Sequence, residues 1–156
     1  NPGSSGGALV NDEGQVIGIN VALATSGGTS EQAGSIGIGF AIPANFAQRI
    51  AAELMETGTA THGLLGASVA DVTEDPAQTD AEVIGASIME ITAGGAAEKA
   101  GLQVGDVVTG VNGLPITGKT DLTAQIRALP AGAEAVISYV RGGKSATVEV
   151  ILGTLI

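Results

Sequence analysis

The chain has no cysteine and a single histidine, His62. Disulfides, thiol catalysis and a zinc site built on Cys are thereby excluded, and so is a His-rich metal centre. The lack of cysteine leaves the compartment open. Tryptophan is missing and aromatics make up 2% of the residues, so a core has to come from Val, Ile, Leu and Ala. Basic residues number 6 against 16 acidic ones, for a formal net charge of -10. Those six are scattered from Arg49 to Lys144. Nucleic-acid binding needs clustered Lys and Arg along a phosphate track, so it is excluded as a general activity. A basic amphipathic membrane surface is excluded on the same ground. No uninterrupted apolar run reaches ~18 residues, and no basic stretch leads into an apolar one. Neither a membrane span nor a signal peptide is visible.

What the chain does have is glycine: 25 of 156 residues, roughly double the usual ~7%. The glycines follow no collagen-like period and sit between short apolar runs. That pattern predicts many short strands joined by tight turns. Ala8–Val10 and Gln15–Ala24 form a hairpin about Asn11-Asp12-Glu13-Gly14. A polar loop, 25–35, leads to a strand over Ile36–Ile42. Pro43 suits the opening of a helix. Phe46, Ile50 and Leu54 fall at i, i+4 and i+8, which predicts about three helical turns ending at Gly58. Residues 58–62 read as a linker.

Beyond the linker, strands are expected over Leu64–Val72, Ile84–Ile91 and Val107–Val111, with an acidic turn over 73–80. A short helix lies within Gly94–Ala100 and a longer one over Thr120–Leu129. A final hairpin, Ala135–Arg141 and Lys144–Leu152, turns at Gly142-Gly143. The whole is mainly β with short helices, and no internal repeat is evident.

The sharpest chemical signal is Gly3-Ser4-Ser5-Gly6-Gly7. A nucleophilic serine needs an exposed hydroxyl and backbone N–H groups aimed at a developing oxyanion. Flanking glycines allow the sharp turn and the close approach of a substrate. A plain Gly/Ser turn has the same composition. The run formally matches the G-x-S-x-G elbow of α/β-hydrolases, but that elbow stands between a strand and a helix. Here a β-hairpin follows, which fits a chymotrypsin-type site instead.

Three blocks then carry a resemblance. They are Asn1–Asn11 (NPGSSGGALVN), Gly14–Asn20 (GQVIGIN) and Ile36–Pro43 (IGIGFAIP). In this order and spacing they resemble the end of the protease domain of HtrA/DegP-type serine proteases, and the resemblance continues over essentially the whole chain. It implies a trypsin-like β-barrel, of which only the last strands are present, followed by a PDZ domain. It implies Ser5 as nucleophile, with the N–H groups of Gly3 and Ser5 as the oxyanion hole. Ser4 departs from the usual Asn but points away from the chemistry. The segment Ala22–Ser35 corresponds to the specificity loop and implies a small aliphatic side chain at the cleavage position. The family's catalytic His and Asp lie upstream of the serine. The chain is therefore expected to be a C-terminal portion that hydrolyses nothing alone, since an unassisted serine hydroxyl is a poor nucleophile. His62 is expected as an exposed linker residue and not as the base.

Leu64-Leu65-Gly66-Ala67 resembles the carboxylate-binding loop of PDZ domains, where backbone N–H groups meet a peptide C-terminus and the next strand edge pairs with the peptide. A core strand would have the same composition. Ala96–Val108 (AAEKAGLQVGDVV) with Val111-Asn112-Gly113 resembles the PDZ signature further along. Gly94-Gly95 stands where Ser-Pro is common and is expected to loosen the entry to the short helix. Leu122 and Ile126 are candidates for the other wall of the groove, or for pure core. Glu74, Asp75, Asp80 and Glu82 lack the spacing of a Ca²⁺ loop and read as a solvated acidic turn; the resemblance implies no metal or organic cofactor.

The expected organisation is 1–57 as the protease part, 58–62 as linker and 63–156 as the PDZ domain. The implied function is extracytoplasmic protein quality control, in the periplasm or cell envelope, with any membrane anchor in a missing N-terminal segment. The implied partners are unfolded proteins or peptides with hydrophobic C-termini, and the family often forms homo-trimers. The alternatives are a stand-alone peptide-binding module or an inactive protease homologue. Residues 1–57 cannot close a barrel alone, so exposed strand edges are expected there.

Overall fold

The computed structural model describes residues 3–25, 35–73 and 83–155. Two compact units divide the chain, residues 1–60 and 61–156.

The first unit is a three-stranded antiparallel sheet with one helix. Strands β1 (Ala8–Val10), β2 (Val16–Thr25) and β3 (Ser35–Pro43) lie in that order, and helix α1 spans Ala44–Thr57. Asn11 makes the first turn: its Oδ1 accepts the Glu13 and Gln15 N–H groups at 3.1 and 2.8 Å. Such an Asx turn competes with the strand and ends it. Helix α1 stops at Gly58, whose N–H donates to Leu54 O. The strands close no barrel. Leu9, Val10, Val16, Ile17, Val21, Ile38, Phe40 and Ile42 are all exposed.

Every buried apolar side chain among the described residues belongs to the second unit. Its strands are β4 (His62–Leu64), β5 (Ala67–Thr73), β6 (Val83–Ile91), β7 (Val107–Val111), β8 (Leu114–Pro115), β9 (Glu134–Arg141), β10 (Lys144–Ile151) and β11 (Gly153–Leu155). Helices α2 (Ala96–Lys99) and α3 (Lys119–Ala128) complete it. The main sheet runs β10-β9-β7-β6-β5, with β8 on β7 and a separate β11-β4 pair. Strand β5 therefore stands at an edge. Ile88, Val108, Ile137 and Val150 of the sheet pack with Leu122 and Ile126 of α3. Aliphatic burial of this kind is worth ~1.5–3 kcal/mol per side chain, and it replaces the aromatic core that the sequence cannot build.

Three expectations need correction. The strand over Leu64–Val72 is two strands, because Gly66 takes a positive φ of 73°, which breaks the ladder between β4 and β5. His62 is no exposed linker residue: it is half-buried in β4, pairs with Leu155, and places Nδ1 2.9 Å from Arg127 O. Gly94-Gly95 does not loosen the entry to α2. The Gly94 N–H donates to Glu98 Oε2 at 2.7 Å, and a Cβ on Gly95 would come within 2.8 Å of Thr92 O. Thr73, expected to open the acidic turn, is the last residue of β5; the rest of that turn and residues 26–34 of the specificity loop lie outside the described residues.

Gly63 seats β4 against the end of α3. Its N–H donates to Leu129 O at 2.7 Å, and a Cβ there would meet Ile126 O at 2.5 Å and Leu152 Cδ1 at 2.7 Å. One neighbour is backbone, so relief requires moving α3 or β4. Gly63→Ala is expected to cost about 1–3 kcal/mol, the usual range for overpacking. Urea unfolding checks it, and an unchanged midpoint would contradict the packing described.

Candidate functional site

The first candidate site is the turn before β1. The Gly6 N–H donates to Asn20 O at 2.7 Å, the Asn20 N–H to Gly7 O at 2.9 Å, and the Gly7 N–H to Ser4 O at 3.0 Å. These bonds hold the turn against β2. Gly3 and Ser5 are both exposed in it. The Ser5 hydroxyl donates to Val21 O at 3.0 Å, so its proton points at a carbonyl that cannot serve as a general base. The chain's single histidine belongs to the second unit.

The second candidate site is a groove between β5 and α3. Its closed end is a cleft of about 120 Å³. Leu64, Leu65, Gly66 and Ala67 line one side, and Leu122 and Ile126 line the other. All six residues singled out from the sequence for peptide binding thus meet in one place. Leu65, Leu122 and Ile126 are also buried core residues, so lining and core are not alternatives. The groove is the open outer wall of the same core.

The backbone at this end is oriented. The Ala97 N–H donates to Leu65 O and the Thr92 N–H to Gly66 O, both at 2.8 Å. A trans peptide sets its C=O and N–H on opposite sides. With those two carbonyls turned toward residues 92–97, the N–H groups of Gly66 and Ala67 point the other way, to the side where the cleft opens. Two adjacent N–H groups at the mouth of an apolar cleft suit a carboxylate oxygen. Ala67 pairs with Ile91, and the Thr92-to-Gly66 bond beside it makes this a pair whose own N–H and C=O face away from β6. The edge of β5 is thus presented along α3. Gly66 is fixed by space as well as by φ, since a Cβ would lie 3.2 Å from Gly95 Cα.

The groove continues beyond the cleft. A cavity of about 580 Å³ shares Ala67, Val69, Thr123 and Arg127 with it and adds Lys119. A further cavity of about 520 Å³ shares Thr120 and Ala124 with that one and adds Asp71 and Asp121. The Asp121 carboxyl is held below the usual carboxylate range, first by the Thr117 N–H and then by the Gln125 side chain. Asp71 Oδ1 accepts the Lys119 N–H at 2.6 Å and so fixes the start of α3. Sequence reading did not single out Val69, Thr123, Lys119 or Arg127. The i, i+4, i+8 spacing of Lys119, Thr123 and Arg127 was the available signal.

Among the described residues no group of three or more His, Cys, Asp or Glu side chains could hold a metal ion.

Comparison with known proteins adds to this geometry. A family described as PDZ domain matches residues 63–152. Over 98% of its length the chain is 46% identical to the serine protease PepD of Mycobacterium tuberculosis. Over 99% it is 39% identical to the periplasmic pH-dependent serine endoprotease DegQ of Escherichia coli. It covers 32% and 33% of those relatives, about a third of their length. Among solved structures, the HtrA-type protease AlgW with a decapeptide matches with a TM-score of 0.59 at 30% identity, over 100% of this chain and 47% of that one. The resemblance to HtrA/DegP-type serine proteases therefore spans both units.

Proposed function

The chain belongs to the PDZ domain family, and from that premise we propose that its second unit captures extended peptides by hydrophobic C-termini. The observation that carries this reading is the conjunction at Gly66: two N–H groups turned to an apolar cleft at the head of an edge strand. A peptide adds to β5 as a further strand, its carboxylate takes the Gly66 and Ala67 N–H groups, and its last side chain enters between Leu65, Leu122 and Ile126. The solved HtrA-type relative with a decapeptide supports peptide capture as the class of activity.

In the whole protein this unit serves a serine endopeptidase working outside the cytoplasm, as the names of the periplasmic relatives support, and unfolded proteins are its proposed substrates. Residues 1–57 are the end of its protease domain. Ser5 is the nucleophile, and the Gly3 and Ser5 N–H groups receive the oxyanion. The base and its orienting carboxylate come from outside these residues, because the chain's one histidine is engaged with Arg127 O in the second unit. Turned from Val21 O to an imidazole, the Ser5 hydroxyl would lose its proton to that base as it attacks the scissile carbonyl.

Calorimetric titration tests the groove. A peptide ending in Val, Leu or Phe with a free carboxylate is expected to bind at least ~10-fold more tightly than its C-terminal amide, since hydrogen bonds to a charged group are worth roughly 1.5–3 kcal/mol. Equal affinities would overturn the reading.

A further inference from the structure

The groove changes sign along its length. Among the described residues, its middle section is lined by Lys119 and Arg127 and by no carboxylate. Among the described residues, the next section is lined by Asp71 and Asp121 and by no cation. The cationic stretch is notable in a chain of net charge -10 with only 6 basic residues, two of which fall on one face of α3 beside β5. The guanidinium of Arg127 forms no ion pair among the described residues. Lys119 Nζ lies 3.8 Å from Asp71 Oδ2 and the Lys119 side chain is 55% exposed, a loose contact that a ligand can replace.

We propose that the groove reads charge order, selecting C-terminal peptides with an acidic residue near the end and a basic residue further upstream. This rests on the peptide-capture reading above and deepens it. An added strand runs antiparallel to β5 and places one residue opposite each of its residues. With the terminal residue abreast of Ala67, the residue two before it lies abreast of Val69. The residue four before it lies abreast of Asp71. Alternate side chains share a face, so these two side chains point to the α3 side along with the terminal one. The nearer meets Lys119 and Arg127, and the farther meets Asp71 and Asp121. The Asp121 carboxylate, already tied to the Thr117 N–H and Gln125, is fixed in place to receive a cation.

Two peptides of identical composition test it. One has Lys four residues before the terminal Val and Glu two before. The other has these two exchanged. Equal net charge removes any general attraction to an acidic protein. In low salt the first is expected to bind about 3- to 10-fold more tightly, the range for two partly exposed ion pairs. The preference should shrink as salt rises. In a Lys119→Glu, Arg127→Glu, Asp71→Lys variant the order should reverse. That reversal also guards against a folding defect, since a misfolded variant would bind neither peptide. Equal affinities for both peptides, with each still preferred over its amide, would overturn the charge-order inference alone. Loss of the preference over the amide would overturn the capture reading and this inference with it.

Discussion

Replacing Asp106 by Ala is expected to remove about 3 kcal/mol from the stability of the second unit, within the range for breaking a buried, hydrogen-bonded pair. Asp106 is the only buried charged residue among those described, at 1% exposure. Its two oxygens are fully employed. Oδ1 takes the Arg141 Nε–H at 2.6 Å, and Oδ2 takes the Arg141 Nη2–H at 2.7 Å and the Gln103 N–H at 2.8 Å. Arg141 Nη2 also donates to Gly101 O at 3.0 Å, and its guanidinium lies over the Tyr139 ring at 5.0 Å. One carboxylate thus joins the loop 101–106 to β9 and fixes where β7 begins. Removing it leaves the Gln103 N–H and the guanidinium unmatched.

The same pair sets an acid limit. Arg141 and then the Gln103 N–H hold the Asp106 carboxyl below its ordinary value, against the opposing effect of burial. The folded carboxyl therefore titrates below the unfolded one, whose pKa is ~3.9. Its stabilisation is complete above that value and is lost as pH falls through the lower folded pKa. The wild-type chain should lose stability on acidification below about pH 4, and Asp106→Ala should lose less over that range, the Asp121 carboxylate still contributing. Urea titrations followed by tyrosine fluorescence measure both. Tyr139 is the only tyrosine and there is no tryptophan, so the signal comes from this unit alone. A variant within ~0.5 kcal/mol of wild type would show that Asp106 is not a structural joint.

The strand-and-turn order was legible because local chemistry sets it. The Asn11 turn, the Gly142-Gly143 hairpin and the spacing of Phe46, Ile50 and Leu54 each act within a few residues of their cause. The cleft was legible through Leu65, Gly66, Leu122 and Ile126, whose residue types resemble a known loop and helix wall. What escaped was set by distant partners. His62 belongs to a strand because Leu155, 93 residues away by the register, pairs with it. Gly63 is fixed by the carbonyls of Ile126 and Leu129 at the end of α3, and the Gly94-Gly95 entry is held by Glu98 and Thr92. Nothing in a run of neighbouring residues reports such contacts. The rim charges of the groove escaped for a different reason. Lys119 and Arg127 look like ordinary solvated residues until β5 is laid beside them.

Leu122→Ala is expected to act twice, because Leu122 serves the core and the cleft with one side chain. It is 2% exposed, packs with the sheet residues of the second unit, and lines the closed end of the groove. Truncation loses the transfer energy of the removed carbons and leaves a cavity, together about 2.7–5 kcal/mol for a buried leucine. If Leu122 were core alone, peptide preference would be untouched. Since its other side faces the cleft, the new space opens to the ligand. Ala67 already leaves the opposite wall short of bulk. A peptide ending in Phe should therefore gain on one ending in Val by roughly 10-fold relative to wild type, the effect of refilling one or two methylenes of buried space. The measurement is the ratio of the two affinities in each protein, taken at a temperature where urea titration shows the variant to be folded. A ratio that stays constant while stability falls would make Leu122 a core residue only and move the floor of the pocket to Leu65 and Ile126. A ratio that shifts toward Phe would place the terminal side chain against α3, with the carboxylate at Gly66 and Ala67.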